Sequence, residues 1–176
     1  MDYIDRIAAL GACAEALRGL RAARHPDLAT AWAACRRPDW LLWLAGRCAA
    51  YGSTEHRAVV TAAAGCVAGV LDIVPAGDER PRAAVETAQA WAQGGASIHD
   101  CVNADPIDES EAADADAAFA AEAAACAVTA AYLSRADERA AAAANAVGYA
   151  QDAGADPAHL LALVRRHLPA PPTLSE

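Results

Sequence analysis

Two sets of side chains in this sequence have types and spacings that could do chemistry. The first is six Cys and five His. His99-x-Cys101 places two potential metal ligands side by side, with His25, His56, Cys35 and Cys48 elsewhere in the chain. A structural zinc site normally repeats a short ligand pair twice, and here one such pair occurs with no CxxC. A thiol nucleophile needs a base and an orienting group gathered around it, and no motif announces that grouping. The expectation is no metal, no cofactor and no catalytic residue, with the thiols free and most of them buried as small apolar groups.

The second set is Arg80 and Arg82, with Glu86 and Asp39. Arginine forks suit carboxylates and phosphates equally, so Arg80 and Arg82 could form an anion pocket. The plainer alternatives are a local Arg82–Glu86 pair, four residues apart on one helix face and worth about 0.3 kcal/mol, or a structural Arg cluster at a helix junction. No glycine-rich phosphate loop accompanies them; Gly65-x-x-x-Gly69 lies in an apolar helical run and reads as a place of close helix packing.

Charge adds a third candidate. Through Ala88 ten Arg balance ten Asp and Glu, whereas four Arg meet thirteen acids beyond it, so the net charge of −9 belongs to the second half. Asp105, Asp108, Glu109, Glu111, Asp114 and Asp116 concentrate it. Such a stretch could mimic phosphates against a basic protein partner and speed its capture. Alternatively, it is a solvated helix start in which acids favour the helix dipole. An acidic balance argues against nucleic acid, whose phosphates need Lys or Arg, and the sequence has no Lys.

The elements that must position these residues are helical. Alanine makes up about 30% of the chain and β-branched residues are sparse, which favours helix through alanine's high propensity. Apolar residues recur at helical spacing from Tyr3 to about Arg24, then from Leu28 to Cys35, with Asp27 as cap. Asp39 is expected to cap the very apolar Trp40–Ala45 run, buried on all sides, with Gly46 or Gly52 as the break. Ser53 or Thr54 opens the next helix, in which Val59, Ala63, Cys66, Val70 and Val74 form one line. Asp78 is the expected cap of a helix through Trp91, with Pro81 in its first turn. Ser97 caps a short segment before the acids. Ala112, Phe119, Cys126 and Leu133 recur every seven residues in the following helix, as in shallow-angle packing. Ser134 begins another helix, and Asp156 caps the last.

The reading is one all-α domain over 1–168, an irregular bundle of about seven or eight helices. Trp32, Trp40, Trp43 and Trp91 are its core anchors, and 169–176 is a Pro-rich C-terminal tail. No apolar run reaches the length of about 18 residues that spans a membrane. Without a secretory leader pattern, a cytoplasmic protein is expected.

Trp32–Cys35, then Asp39-Trp40-Leu41-Leu42-Trp43-Leu44, then a helix ending at Val74-Pro75, then Asp78-Glu79-Arg80-Pro81-Arg82 with Glu86 and Trp91, and an alanine-rich remainder, resemble the Imm5-like family of bacterial immunity proteins. The likeness covers roughly residues 28–150. It implies a small helical protein of polymorphic toxin systems, non-enzymatic, that neutralises a cognate bacterial toxin by direct binding. Two alternatives stay open on the residues alone. One is a small-molecule-binding protein or enzyme with a pocket of Trp, Arg and His. The other is a helical scaffold or oligomerisation module in a bacterial or phage conflict system.

Overall fold

The computed structural model describes residues 2–105 and 115–174, and they form an all-helical body. Ten α-helices follow in order: α1 (Tyr3–Ala9), α2 (Ala14–Ala23), α3 (Leu28–Ala34), α4 (Pro38–Cys48), α5 (Thr54–Ala68), α6 (Arg80–Ala92), α7 (Ile98–Ala104), α8 (Ala115–Tyr132), α9 (Ala136–Asp152) and α10 (Pro157–His167), with a 3-10 turn at Leu71–Ile73.

The count exceeds the seven or eight expected, and one cause is local. The single helix expected from Tyr3 to Arg24 is two, because Gly11 adopts a left-handed φ of 91° and Cys13 caps α2 through its sulfur. A left-handed residue just past a helix end is the usual stop signal, and glycine takes that conformation without steric penalty. Asp27, Ser53, Ser97 and Asp156 cap their helices as expected, Ser97 with Asp100 in a reciprocal box. Asp39 and Asp78 do not. Pro38 occupies the first turn of α4, so Asp39 lies inside the helix, and Asp78 lies outside α6, whose first turn is Arg80-Pro81.

The middle of the molecule is made of α4, α5, α6, α8 and α9, with α8 and α9 packed most extensively on each other. Ala120, Ala123, Ala124, Ala127, Ala130 and Ala131 of α8, and Ala140, Ala143, Ala146 and Ala150 of α9, are wholly excluded from solvent. Small side chains let the helix axes approach closely, and backbone contact replaces side-chain bulk. The Phe119, Cys126, Leu133 line expected to form this seam is only half-buried and lies to its side; Ala112 falls outside the described residues. Gly46 is not a break but the point where α4 meets α9: a Cβ there would stand 3.0 Å from the Ala140 Cα. Gly65, by contrast, touches nothing within 4 Å and marks no close packing.

Four arginines join elements far apart in sequence by donating to helix ends. Arg47 Nε reaches the Leu10 carbonyl at the end of α1 (2.9 Å), and Arg57 Nη1 reaches Trp91 in the last turn of α6 (2.6 Å). Arg165 Nη2 donates to Ala33 (2.6 Å) and Cys35 (2.8 Å), closing α3. Arg139, buried, donates to Ala49 (2.7 Å) and Ser134 (2.8 Å) and closes both α4 and α8. Helix C-termini leave carbonyls without partners and carry partial negative charge, and guanidinium has enough donors to satisfy several of them.

Trp32 and Trp91 are buried, whereas Trp40 and Trp43 are half-buried on the outer side of α4, contrary to a run buried all round. The C-terminal segment is not detached: Leu168 and Leu174 are buried, and Pro169–Thr173 lies along α4 and α5 beside Ala45 and Ala58.

Candidate ligand-binding groove and partner-facing surface

The half-buried tryptophans line a groove of about 360 Å³ between α1–α2 on one side and α3–α4 on the other. Its walls are built from helical spacing. Trp40 and Trp43, three apart, share a face of α4; the buried Leu41 and Leu44 line the groove beneath them, while Leu42 turns into the core. Trp32 and Leu28 enter from α3, Leu20 and Ala16 from α2, and Ala144 of α9 is at the base. Helix α2 buries no residue completely, and a Cβ on its Gly19 would rest 3.7 Å from the Trp40 ring. The indole N–H of Trp32 is buried without a hydrogen-bond partner.

Charge sits at the groove's edge. The Arg37 guanidinium lies 4.6 Å from the Trp40 ring centroid. It holds Asp39 with two bonds, Nη2 to Oδ2 at 2.7 Å and Nε to Oδ1 at 3.0 Å, and reaches Glu15 of α2 at 3.2 Å. The Asp39 hydrogen bonds raise the Arg37 pKa above its ordinary value. Two carboxylates around one guanidinium leave the edge with a net charge of about −1.

The thiols and imidazoles do not assemble into a reaction centre. His99 is exposed and Cys101 is wholly buried, so the one close His–Cys pair points to opposite sides of α7. Among the described residues no three His, Cys, Asp or Glu side chains converge as metal ligands would. Burial pushes the Cys66 thiol up to about 12 and those of Cys101 and Cys126 up to about 11, and it raises Cys35 and Cys48 as well. Thiols held protonated are poor nucleophiles. His56 is wholly buried and structural: the Gly52 N–H donates to Nδ1 (3.0 Å), so Nε2 carries the proton and donates to the Ala130 carbonyl (2.8 Å). Its ring meets Trp91 edge-on at 4.9 Å.

Among the described residues, Arg80 and Arg82 each meet an aspartate. Arg80 holds Asp78 through Nε (2.8 Å) and Nη2 (2.9 Å), and Arg82 reaches back to Asp72 (3.3 Å) rather than forward along the helix to Glu86. Of the six acids singled out in the sequence, Asp108, Glu109, Glu111 and Asp114 lie outside the described residues. Asp116 is exposed at the start of α8. Asp105 faces inward: its Oδ2 accepts bonds from Tyr132 Oη and from Thr129 Oγ1 (3.0 Å), fastening the end of α7 to α8. In the helix that precedes the acidic stretch in sequence, α7 presents Ile98 and Val102, 44% and 49% exposed and one helical turn apart.

Sequence reasoning missed Glu15, Arg37 and the role of Trp40 and Trp43 in the groove. The signal available was the Arg37/Trp40/Trp43 spacing of three, which sets one cation and two indoles along one stripe. Compared with protein-family models, with curated proteins and with solved structures, the chain finds no match.

Proposed function

We propose that the protein acts by binding rather than by turnover, neutralising a basic bacterial toxin through direct contact centred on the outer face of α7 and the acidic stretch after it. The observation that carries this reading is the Ile98–Val102 pair. Of the four large apolar residues exposed among the described residues, two lie on this one short helix. Singly exposed apolar residues are ordinary, but two on adjoining turns of a helix that runs in sequence into a stretch of acids have the composition of a contact patch, apolar residues joined to charged ones. The acids attract a basic partner over distance, and the apolar pair supplies the desolvated contact.

The test uses protection of cells expressing a toxin encoded beside this chain, together with the affinity of the purified pair. Ile98→Arg with Val102→Arg places two cations against a basic surface and is expected to weaken binding by about 100-fold, since a central contact residue is worth roughly 2 kcal/mol or more. Reversing the charge of Asp108, Glu109, Glu111 and Asp114 together is expected to slow association and abolish its salt dependence. Unchanged protection in both variants would reject the reading.

A further inference from the structure

A second site, on the opposite logic of a recessed apolar space with one charged edge, lies in the groove between α1–α2 and α3–α4. We propose that this groove binds an amphipathic organic cation, an amine or guanidine carried on an apolar body. The apolar part would lie against Trp40 and Trp43, and the charge would take the place the Arg37 guanidinium now holds between Glu15 and Asp39.

The volume, about 360 Å³, falls in the range of small-molecule sites and is lined chiefly by indole and aliphatic side chains. The charge preference follows from Arg37. Its guanidinium is stacked on Trp40 at 4.6 Å and clasped by two carboxylates, which is how an aromatic and acidic site receives a cation. That side chain is 45% exposed and Glu15 is 64% exposed. The Arg37–Glu15 pair, so open to water, is worth little; the two bonds to Asp39, whose side chain is 18% exposed, are the larger loss, and an incoming cation offsets it by taking over the same carboxylate while its apolar body gains burial that Arg37 cannot provide. With two carboxylates at the edge, an anion of the same shape is repelled. Motion of Arg37 also frees α2, which buries no residue completely and is tied to α4 by the Glu15–Arg37–Asp39 bridge. The groove is separate from the α7 surface, so the two readings stand or fall independently.

Calorimetric titration with three probes of one body tests this: 4-phenylbutylamine, 4-phenylbutanol and 4-phenylbutyrate. The amine is expected to bind about tenfold more tightly than the alcohol, and the carboxylate weakest, from one net charge at a partly solvated edge. Glu15→Gln, an exposed substitution whose thermal melting should match the parent, should remove most of the amine's advantage and leave the alcohol unchanged. Arg37→Ala, which removes the resident cation, should tighten the amine several-fold, a gain that a purely structural role for Arg37 does not produce. Equal affinity for all three probes, tightest binding of the carboxylate, no binding of any probe, or weaker amine binding in Arg37→Ala would each overturn the proposal.

Discussion

The α8–α9 seam and the α1–α4 flank solve the same packing problem with opposite materials. Along the seam, α8 and α9 pack through wholly buried alanines, and the same α9 meets α4 backbone to backbone where Gly46 and Ala140 touch. On the flank, indole rings hold the helices apart, α2 buries nothing completely, and a groove of about 360 Å³ remains. Uniformly small side chains leave no gaps of ligand size, whereas a few large flat ones rarely tile a surface. The comparison assigns the two regions different work: a close-packed alanine body carries the fold, and the looser aromatic flank, together with α7, carries binding.

The largest effect should come from the polar junction that closes the body. Arg139→Ala removes the donor that closes both α4 and α8 and leaves the Ala49 carbonyl buried without its partner. Urea unfolding should show a loss of about 4 kcal/mol, the sum of a cavity and a stranded acceptor. A loss no larger than that of a surface substitution would mean that the junction is wet and the body less closed than described.

Next is pH. Burial above all, with the Arg139 and Arg57 charges adding, pushes His56 down to about 4. Between about pH 6.5 and pH 4 the unfolded chain takes up a proton that the folded chain refuses, so stability falls as pH drops through that window. The loss approaches about 3 kcal/mol and does not grow below it. Unfolding midpoints measured from pH 7 to pH 5 should decline, and His56→Gln should flatten that part of the curve. An unchanged slope in the variant would place the titration elsewhere.

One substitution made where α4 closes on α9 and again in the looser flank sharpens the contrast, because its sign should reverse. Gly46→Ala pushes a methyl to 3.0 Å from the Ala140 backbone and should destabilise by about 2 kcal/mol through overpacking. Gly19→Ala adds the same methyl at an ordinary 3.7 Å from the Trp40 ring, within α2, and should stabilise by about 0.7 kcal/mol through helix propensity. Thermal melts of the two variants give the comparison directly, and two shifts of the same sign would contradict it.

What the sequence revealed and what it hid divide along the range of the interactions. The caps at Asp27, Ser53, Ser97 and Asp156 depend on bonds within three residues and were legible. So was the burial of Trp32 and Trp91, which follows from helical spacing. Asp39 and Asp78 misled because a proline or a flanking arginine competed for the same first turn. The break at Gly11 was overlooked because the apolar stripe continues across it. Apart from Arg139 with Ser134, five residues back, the arginine closures link residues from 34 to 133 positions apart, as Arg57 with Trp91 and Arg165 with Trp32, so no local pattern encodes them. The groove is of that same kind, being the space four helices leave when their axes cross. The acidic stretch was legible as composition alone; only Asp105, drawn inward by Tyr132 and Thr129, shows how far a charge in the sequence can be from a charge on the surface.

Hydrogen exchange read helix by helix, with and without 4-phenylbutylamine, tests the division of labour most directly. The account predicts that amides of α8 and α9 exchange only on global unfolding and ignore the amine, while those of α2 exchange by easy local opening and slow when the amine is present. Equal protection of α2 and the α8–α9 pair, or an amine effect located in α8 and α9, would contradict it.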